Sequence, residues 1–267
     1  MGVARCDNTA VTAFVGLDLA WTPHHESGVC VMEGDARGVQ LVALHTEIAD
    51  PATFAALCCR GDDVVVAVDA PLVVRPGRRA ERELAAVFGR AKASAYTASM
   101  EFLTKMNGLA GPSLAGLLAA SGFEIAPSRL AAQAPGRYVL EVFPHPAHVE
   151  LFGLGERLAY KKGRLAARRA AFLQYQLHLQ GLLAREVPAV LDDTRAQDML
   201  APAVLEAPAR ELKRIEDQLD ALTCAVVAYH CWKHGSDGFR VFGDEATGAI
   251  VVPRVVAATS FPAPTSP

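Results

Sequence analysis

Three apolar, strand-like runs of this sequence each carry one carboxylate. Asp18 ends Phe14-Val15-Gly16-Leu17-Asp18, Asp69 follows Val64–Val68, and Glu141 lies in Tyr138–Phe143. No Lys or Arg sits inside these runs. Burying an ionised carboxylate without a partner is costly. A shared counter-charge is the economical answer, and a divalent cation accepts hard oxygen ligands of this kind, with water completing its shell. Two more acids, Asp217 and Asp220, are spaced i, i+3 and so share one face of a late helical pattern. Their stripe continues as Cys224, Val227 and Cys231, so the acids head a buried face. Stabilisation of the helix dipole by early acids is the plainer reading, but the helix pattern starts well upstream, near Pro208. For Asp18 and Asp69 taken singly, the plainer reading is capping of the turn after each strand. Taken together, Asp18, Asp69, Asp217 and Asp220 are expected to hold a metal.

Cations supply a second signal. No acid occurs between Arg157 and Arg185, whereas Arg157, Lys161, Lys162, Arg164, Arg168 and Arg169 cluster there. A second group, Arg75, Arg78, Arg79 and Arg82, is diluted by Glu81 and Glu83. Such faces are often only solvated, but they also mark phosphate contacts. Lys162, Arg164 and Arg79 are the expected substrate contacts. Lys161 is expected to reach the acids and stabilise transition-state charge. Phe172 and Tyr175 suit a helix core better than a base-stacking platform. His24-His25 fall in a loop after the first strand, and His145 and His148 flank Pro146. These four are weaker candidates for contacts to metal or substrate. No phosphate-binding glycine loop follows a strand and no Gly-x-Ser-x-Gly elbow occurs, which leaves serine hydrolase chemistry without support.

The elements that must position these groups are legible from pattern. The chain has 267 residues, 51% of them hydrophobic, and a net charge of -3. That excludes a disordered chain and a globally basic nucleic-acid binder, and suits one large domain. Runs at 13–21, 27–34 and 39–47 read as an antiparallel meander. A short helix at 51–60 leads to a central strand at 63–74, apolar on both faces. Helical segments fill 75–136, strand character returns at 137–147, and helices fill 148–207. A strong helix at 210–233 and a hairpin at 239–253, turning at Asp244–Gly248, complete a single domain over 1–253. The tail at 254–267 is expected to be disordered. The order implies an α/β fold, a mixed sheet with helices on both faces. The N-terminus lacks the apolar stretch of a secretory signal, no run is long enough to span a membrane, and the six cysteines have no paired spacing. A cytoplasmic protein with reduced core thiols and no membrane partner is therefore expected.

Five motifs in order carry a resemblance. They are Gly16-Leu17-Asp18, Val68-Asp69-Ala70-Pro71-Leu72, Glu141-Val142-Phe143-Pro144, Tyr160-Lys161, and Asp217 to Ala221 as Asp-x-x-Asp-Ala; a closing Gly248–Pro253 also fits. Together they resemble the domain of unknown function 429 family, regarded as predicted nucleases of the ribonuclease H-like fold. The resemblance implies a five-stranded mixed sheet of order 3-2-1-4-5, with acids from the first strand, the fourth strand and a late helix gathered around Mg²⁺ or Mn²⁺. Asp18, Asp69 and Asp217 or Asp220 occupy those places, Asp18 as the bridging ligand. The late helix is similar to that of Holliday-junction resolvases. Glu141 would be a further ligand or a water-orienting base. The expected activity is metal-dependent hydrolysis of phosphodiester bonds in DNA or RNA, with a homo-oligomer left open. The alternatives are a sugar-kinase or actin-like phosphotransferase, disfavoured because no glycine-rich loop follows Asp18 or Asp69, and a nucleic-acid-binding scaffold without catalysis.

Overall fold

A computed structural model describes residues 11–22 and 24–256. Most of the expected disordered tail, from 257 onward, and Cys6 lie outside the described residues. Strands β1 (Thr12–Asp18), β2 (Ser27–Asp35) and β3 (Gly38–Glu47) form the antiparallel meander. Helix α1 (Pro51–Cys58) crosses over, its first turn capped by the Asp50 side chain. Strand β4 (Val64–Val68) then runs parallel to β1, and β5 (Arg137–Glu141) runs parallel to β4. The sheet order is β3-β2-β1-β4-β5, as the resemblance implied. All five β4 residues are buried, which explains its unbroken apolar run.

Three strands end earlier than their apolar runs, and the first, β1, stops at Asp18, short of Trp21. β4 stops at Val68 and β5 at Glu141. After β4 and β5 proline follows within a few residues, with no N–H for a ladder. Pro144 instead opens helix α6 (Pro144–Phe152), so His145, Pro146 and Ala147, expected in strand, are helical.

Between β4 and β5 lie α2 (Ala80–Phe88), α3 (Met100–Lys105), α4 (Ala110–Ala120) and α5 (Pro127–Ala131). After α6 come α7 (Leu165–Glu186), α8 (Thr194–Leu200) and the long α9 (Ala209–His234). The hairpin β6 (Phe239–Asp244) and β7 (Gly248–Pro253) forms a separate two-stranded sheet.

The sheet has a core on each face. Phe14, Val65 and Ala67 pack with α9 and α7, whereas Val15, Leu17, Val64, Val66 and Val68 pack with α1 and α4. This is the two-residue alternation of a strand made physical. Helix α9 lies unusually close to the sheet because glycines meet it. A Cβ on Gly16 would fall on the Ala221 carbonyl oxygen, and one on Gly28 on that of Asp217. Cys30, Cys58, Cys224 and Cys231 are buried and free, and Cys59 is exposed and free. No described helix is long and apolar enough to cross a membrane.

Candidate active site: an aspartate and lysine cluster under a basic-rimmed cavity

The alternation that sends Phe14 and Gly16 toward α9 also sends Asp18 there. Leu17 pairs with Val68 across the parallel ladder, so Asp69 follows in step with Asp18 and faces the same side. A backbone bond from the Asp69 N–H to the Leu17 carbonyl, 2.8 Å, carries that register past the end of β4. On the other side of β1, Asp18 pairs with Gly28, which touches the Asp217 backbone of α9. Asp217 and Asp220 are both buried. The four aspartates assigned from sequence therefore converge where the C-terminal ends of two parallel strands meet a helix face.

Their charges are managed unequally. Asp220 is fully buried and still held below the ordinary carboxylate range. Burial pushes it up, but the Lys161 ammonium and the nearby hydrogen bonds outweigh that. Lys161 Nζ lies 2.7 Å from Asp220 Oδ2. The Tyr160 and Tyr175 hydroxyls donate to Asp220 Oδ1 at 2.8 and 3.0 Å. Asp69 is pushed well up by burial, with Lys161 at 3.9 Å relieving part of that penalty. Burial also raises Asp18. Asp18 has no Lys or Arg within 4.0 Å among the described residues. Asp217 is pushed up to about 8, by burial first and the Asp18 charge second, although Lys213 lies 2.5 Å away. The two carboxyls are coupled, and the Asp18 charge favours the protonated form of Asp217. Lys161 itself stays charged: burial disfavours the ammonium, but Asp220, Asp18 and Asp69 together hold its pKa well above normal.

Glu141 lines the same cavity as Asp69 and its charge acts on Asp69, but it approaches from another direction and is paired. It pairs with Val68, whose side chain faces α1 and α4, so parity puts Glu141 on the opposite side of the sheet from Asp69. Its carboxylate accepts from the buried Arg78 guanidinium and, at 3.0 Å, from the Leu72 N–H. Arg78 also bonds Glu81 at 2.8 Å. Glu141 is a structural anchor for the turn after β4. Arg79, an expected substrate contact, is paired with Glu83 and faces Asp244 at 3.7 Å, away from the aspartates. Arg168 and Arg169 are likewise engaged, with Glu216 and the Ala207 carbonyl.

Three cations do face the site. A cavity of about 280 Å³ opens beside the cluster, lined by Asp69 with Arg157, Lys161, Lys162 and His145. Lys162 sits 5.7 Å from the ring of Tyr96, another wall residue. Arg164 is exposed at the start of α7. His145 and His148 lie in α6, where burial lowers their pKa values to about 4 and about 3. They are neutral packing groups around Tyr160 and Tyr175. His24 and His25 stay exposed in their loop, with His25 bonded to Thr22.

Sequence reasoning missed Tyr160, Tyr175 and Lys213 as partners of the aspartates. Two signals were available, the Lys213/Asp217 spacing of i, i+4 and the place of Tyr160 in the Tyr160-Lys161 motif. Among the described residues, one trio of potential ligand atoms has all members within 4.8 Å of one another, and it is Glu186, His230 and His234, at the far end of α9. The aspartates do not form such a trio; Lys161 stands among them.

No curated protein matches the chain. A family model does, and covers residues 16–246, from the glycine before Asp18 through the turn of the hairpin. The matched span contains every residue of the aspartate and lysine cluster, and the chain belongs to that family, the protein family of unknown function DUF429.

Proposed function

We propose that this protein is a metal-dependent nuclease, hydrolysing phosphodiester bonds of nucleic acid with Mg²⁺ or Mn²⁺ held by the aspartate cluster. One observation carries the reading: Asp18 and Asp69 lie in step on neighbouring parallel strands, against the acidic face of α9, beside a cavity walled by Arg157, Lys161 and Lys162.

The donor set fits a hard cation. Asp18, Asp69, Asp217, Asp220 and Glu216 outnumber the cations placed among them, Lys161, Lys213 and Arg168. Burial disfavours the charged forms of Asp18 and Asp69, and Lys161 relieves each in part. Two carboxylates with retained water are the usual complement for Mg²⁺. A cation bound there would polarise a phosphoryl oxygen and lower the pKa of a water. Asp217, Asp220 and Lys161 would adjust around that pair. Lys161, facing the cavity, is placed to stabilise the extra negative charge of a phosphodiester under attack. Asp69 also faces the cavity. Lys162 and Arg157 would hold flanking phosphates.

The test is a panel of single-stranded, duplex and branched DNA and RNA incubated with Mg²⁺ or Mn²⁺, comparing wild type with Asp18→Asn and Asp69→Asn. Metal-dependent cleavage lost in both variants supports the reading. Cleavage unaffected by either variant, or turnover only of nucleoside triphosphates, refutes it. The second outcome would favour the phosphotransferase alternative, and metal-independent binding without turnover would favour the scaffold.

A further inference from the structure

The C-terminal ends of α7 and α9 meet far from the aspartates. Glu186 is the last residue of α7 and His234 the last of α9, with His230 one turn earlier on the same face. Asp220 and His230 are ten positions apart, so the two places are separated by roughly 15 Å along the helix axis. Glu186 Oε2 lies 3.8 Å from His230 Nδ1 and 3.8 Å from His234 Nε2. These distances are too long for hydrogen bonds. Glu186 Oε2 and His230 Nδ1 are both buried without a hydrogen-bond partner.

We infer that Glu186, His230 and His234 form a second metal site, selective for a borderline transition ion of the Zn²⁺ class.

Three features point that way. First, His230 is 2% exposed and its orientation is set from behind: Nε2 lies 2.8 Å from the Arg254 carbonyl oxygen. A carbonyl only accepts, so the neutral ring carries its proton on Nε2 and turns the bare Nδ1 lone pair toward Glu186 and His234. A backbone carbonyl behind a histidine is the usual outer partner of a metal-bound imidazole. Second, tetrahedral bonds of about 2.0–2.1 Å place donor atoms roughly 3.3 Å apart, and the three candidate ligand atoms already lie within 4.8 Å of one another, Glu186 at 3.8 Å from each imidazole. Third, two helices end here, and their terminal carbonyls favour a cation.

One group competes. Lys233 Nζ lies 3.7 Å from Glu186 Oε2 and also sits 5.2 Å from the Tyr229 ring centroid. It is partly exposed, so an arriving ion displaces it toward the aromatic face or solvent. The set differs in kind from the aspartate cluster: two imidazoles and one carboxylate suit Zn²⁺, whereas Mg²⁺ prefers oxygen. With three protein ligands, a fourth position stays open to water. A bound ion would tie α7 to α9 and, through Arg254, to the chain leaving β7.

The full-length protein, stripped with chelator, is titrated with Zn²⁺ by calorimetry and with Co²⁺ by visible absorption. Wild type is expected to bind one equivalent at this site and to show intense tetrahedral Co²⁺ bands. Glu186→Gln and His234→Gln, both at partly exposed positions, are expected to weaken binding at least tenfold with unchanged circular dichroism, while Asp18→Asn retains it. Zn²⁺ affinity and Co²⁺ bands unchanged in both Glu186→Gln and His234→Gln, or lost in Asp18→Asn, would overturn the assignment. An absence of nuclease activity would leave it untouched, because the readout is metal binding at other residues.

Discussion

Asp18 and Asp69 leave the sheet side by side, at equivalent positions of two adjacent parallel strands and on the one face that α9 covers. Neighbouring strands lie only about 4.8 Å apart, so the two carboxylates are brought together by the ladder itself. Both are pushed up by burial. The sheet register thus gathers buried carboxyls whose charged forms burial disfavours.

Replacing either carboxylate by its amide should therefore separate stability from activity. Asp18→Asn and Asp69→Asn are expected to lower metal-dependent cleavage by about 10²–10³-fold, the scale of losing one positioned electrostatic group. The metal-free fold should be as stable as wild type or more so. Cleavage rates and urea midpoints of the same preparations check both halves.

Asp217 sets a pH dependence. Its folded-state carboxyl titrates at about 8, against an ordinary value of 3.8. Between those values the folded chain binds a proton the unfolded chain has released, so stability falls as pH rises. Asp18 and Asp69 act in the same direction, and Asp220, shifted down, acts oppositely but over a lower range. Denaturant midpoints without metal should decline from about pH 7 to about pH 8, above the range in which the depressed His145 and His148 add stability with rising pH. Asp217→Asn should flatten that decline and gain at least about 1 kcal/mol at the alkaline end, a melting shift of about 2–4 °C. A midpoint that is level or rising in wild type contradicts this account.

The close approach of α9 rests on glycine. Gly28→Ala would drive a methyl group into the Asp217 backbone, and Gly16→Ala into that of Ala221. Neither neighbour can move without shifting the helix that carries the aspartates. A loss of about 3 kcal/mol or more is expected for each, at or beyond the upper end for overpacking. Thermal unfolding measures it, and values near wild type would mean that α9 sits farther from the sheet.

Arg78 and Glu141 form a buried pair whose halves are not separately replaceable. The Arg78 and Glu141 side chains are 3% and 6% exposed. Arg78→Ala leaves Glu141 and Glu81 without their cation and should cost about 3–5 kcal/mol. Arg78→Met combined with Glu141→Gln should be markedly milder. A denaturation cycle over the single and double variants gives the coupling directly.

Much of the architecture was legible before any coordinates. Proline and apolar period placed α1, α9 and the hairpin close to their observed limits, and the meander followed from turns at Gly34-Asp35 and Gly38. The carboxylates of Asp18 and Asp69 stood out because charge in an unbroken apolar strand has few cheap explanations. Glu141 showed the same local pattern and lines the same cavity, but with a cation of its own, Arg78. Its sequence context matches theirs; its place one step off in the β4–β5 register does not.

Composition and periodicity thus determined which segments fold into which elements and which buried acids needed a partner, because both depend on neighbours close in the chain. The partners themselves were decided only in three dimensions. Lys161 with Asp220, Arg78 with Glu141, and Glu186 with His230 and His234 are all remote in sequence. Each pairing depends on strand parity and on where helices end against one another, and a side chain's charge carries no record of which distant group will be packed beside it.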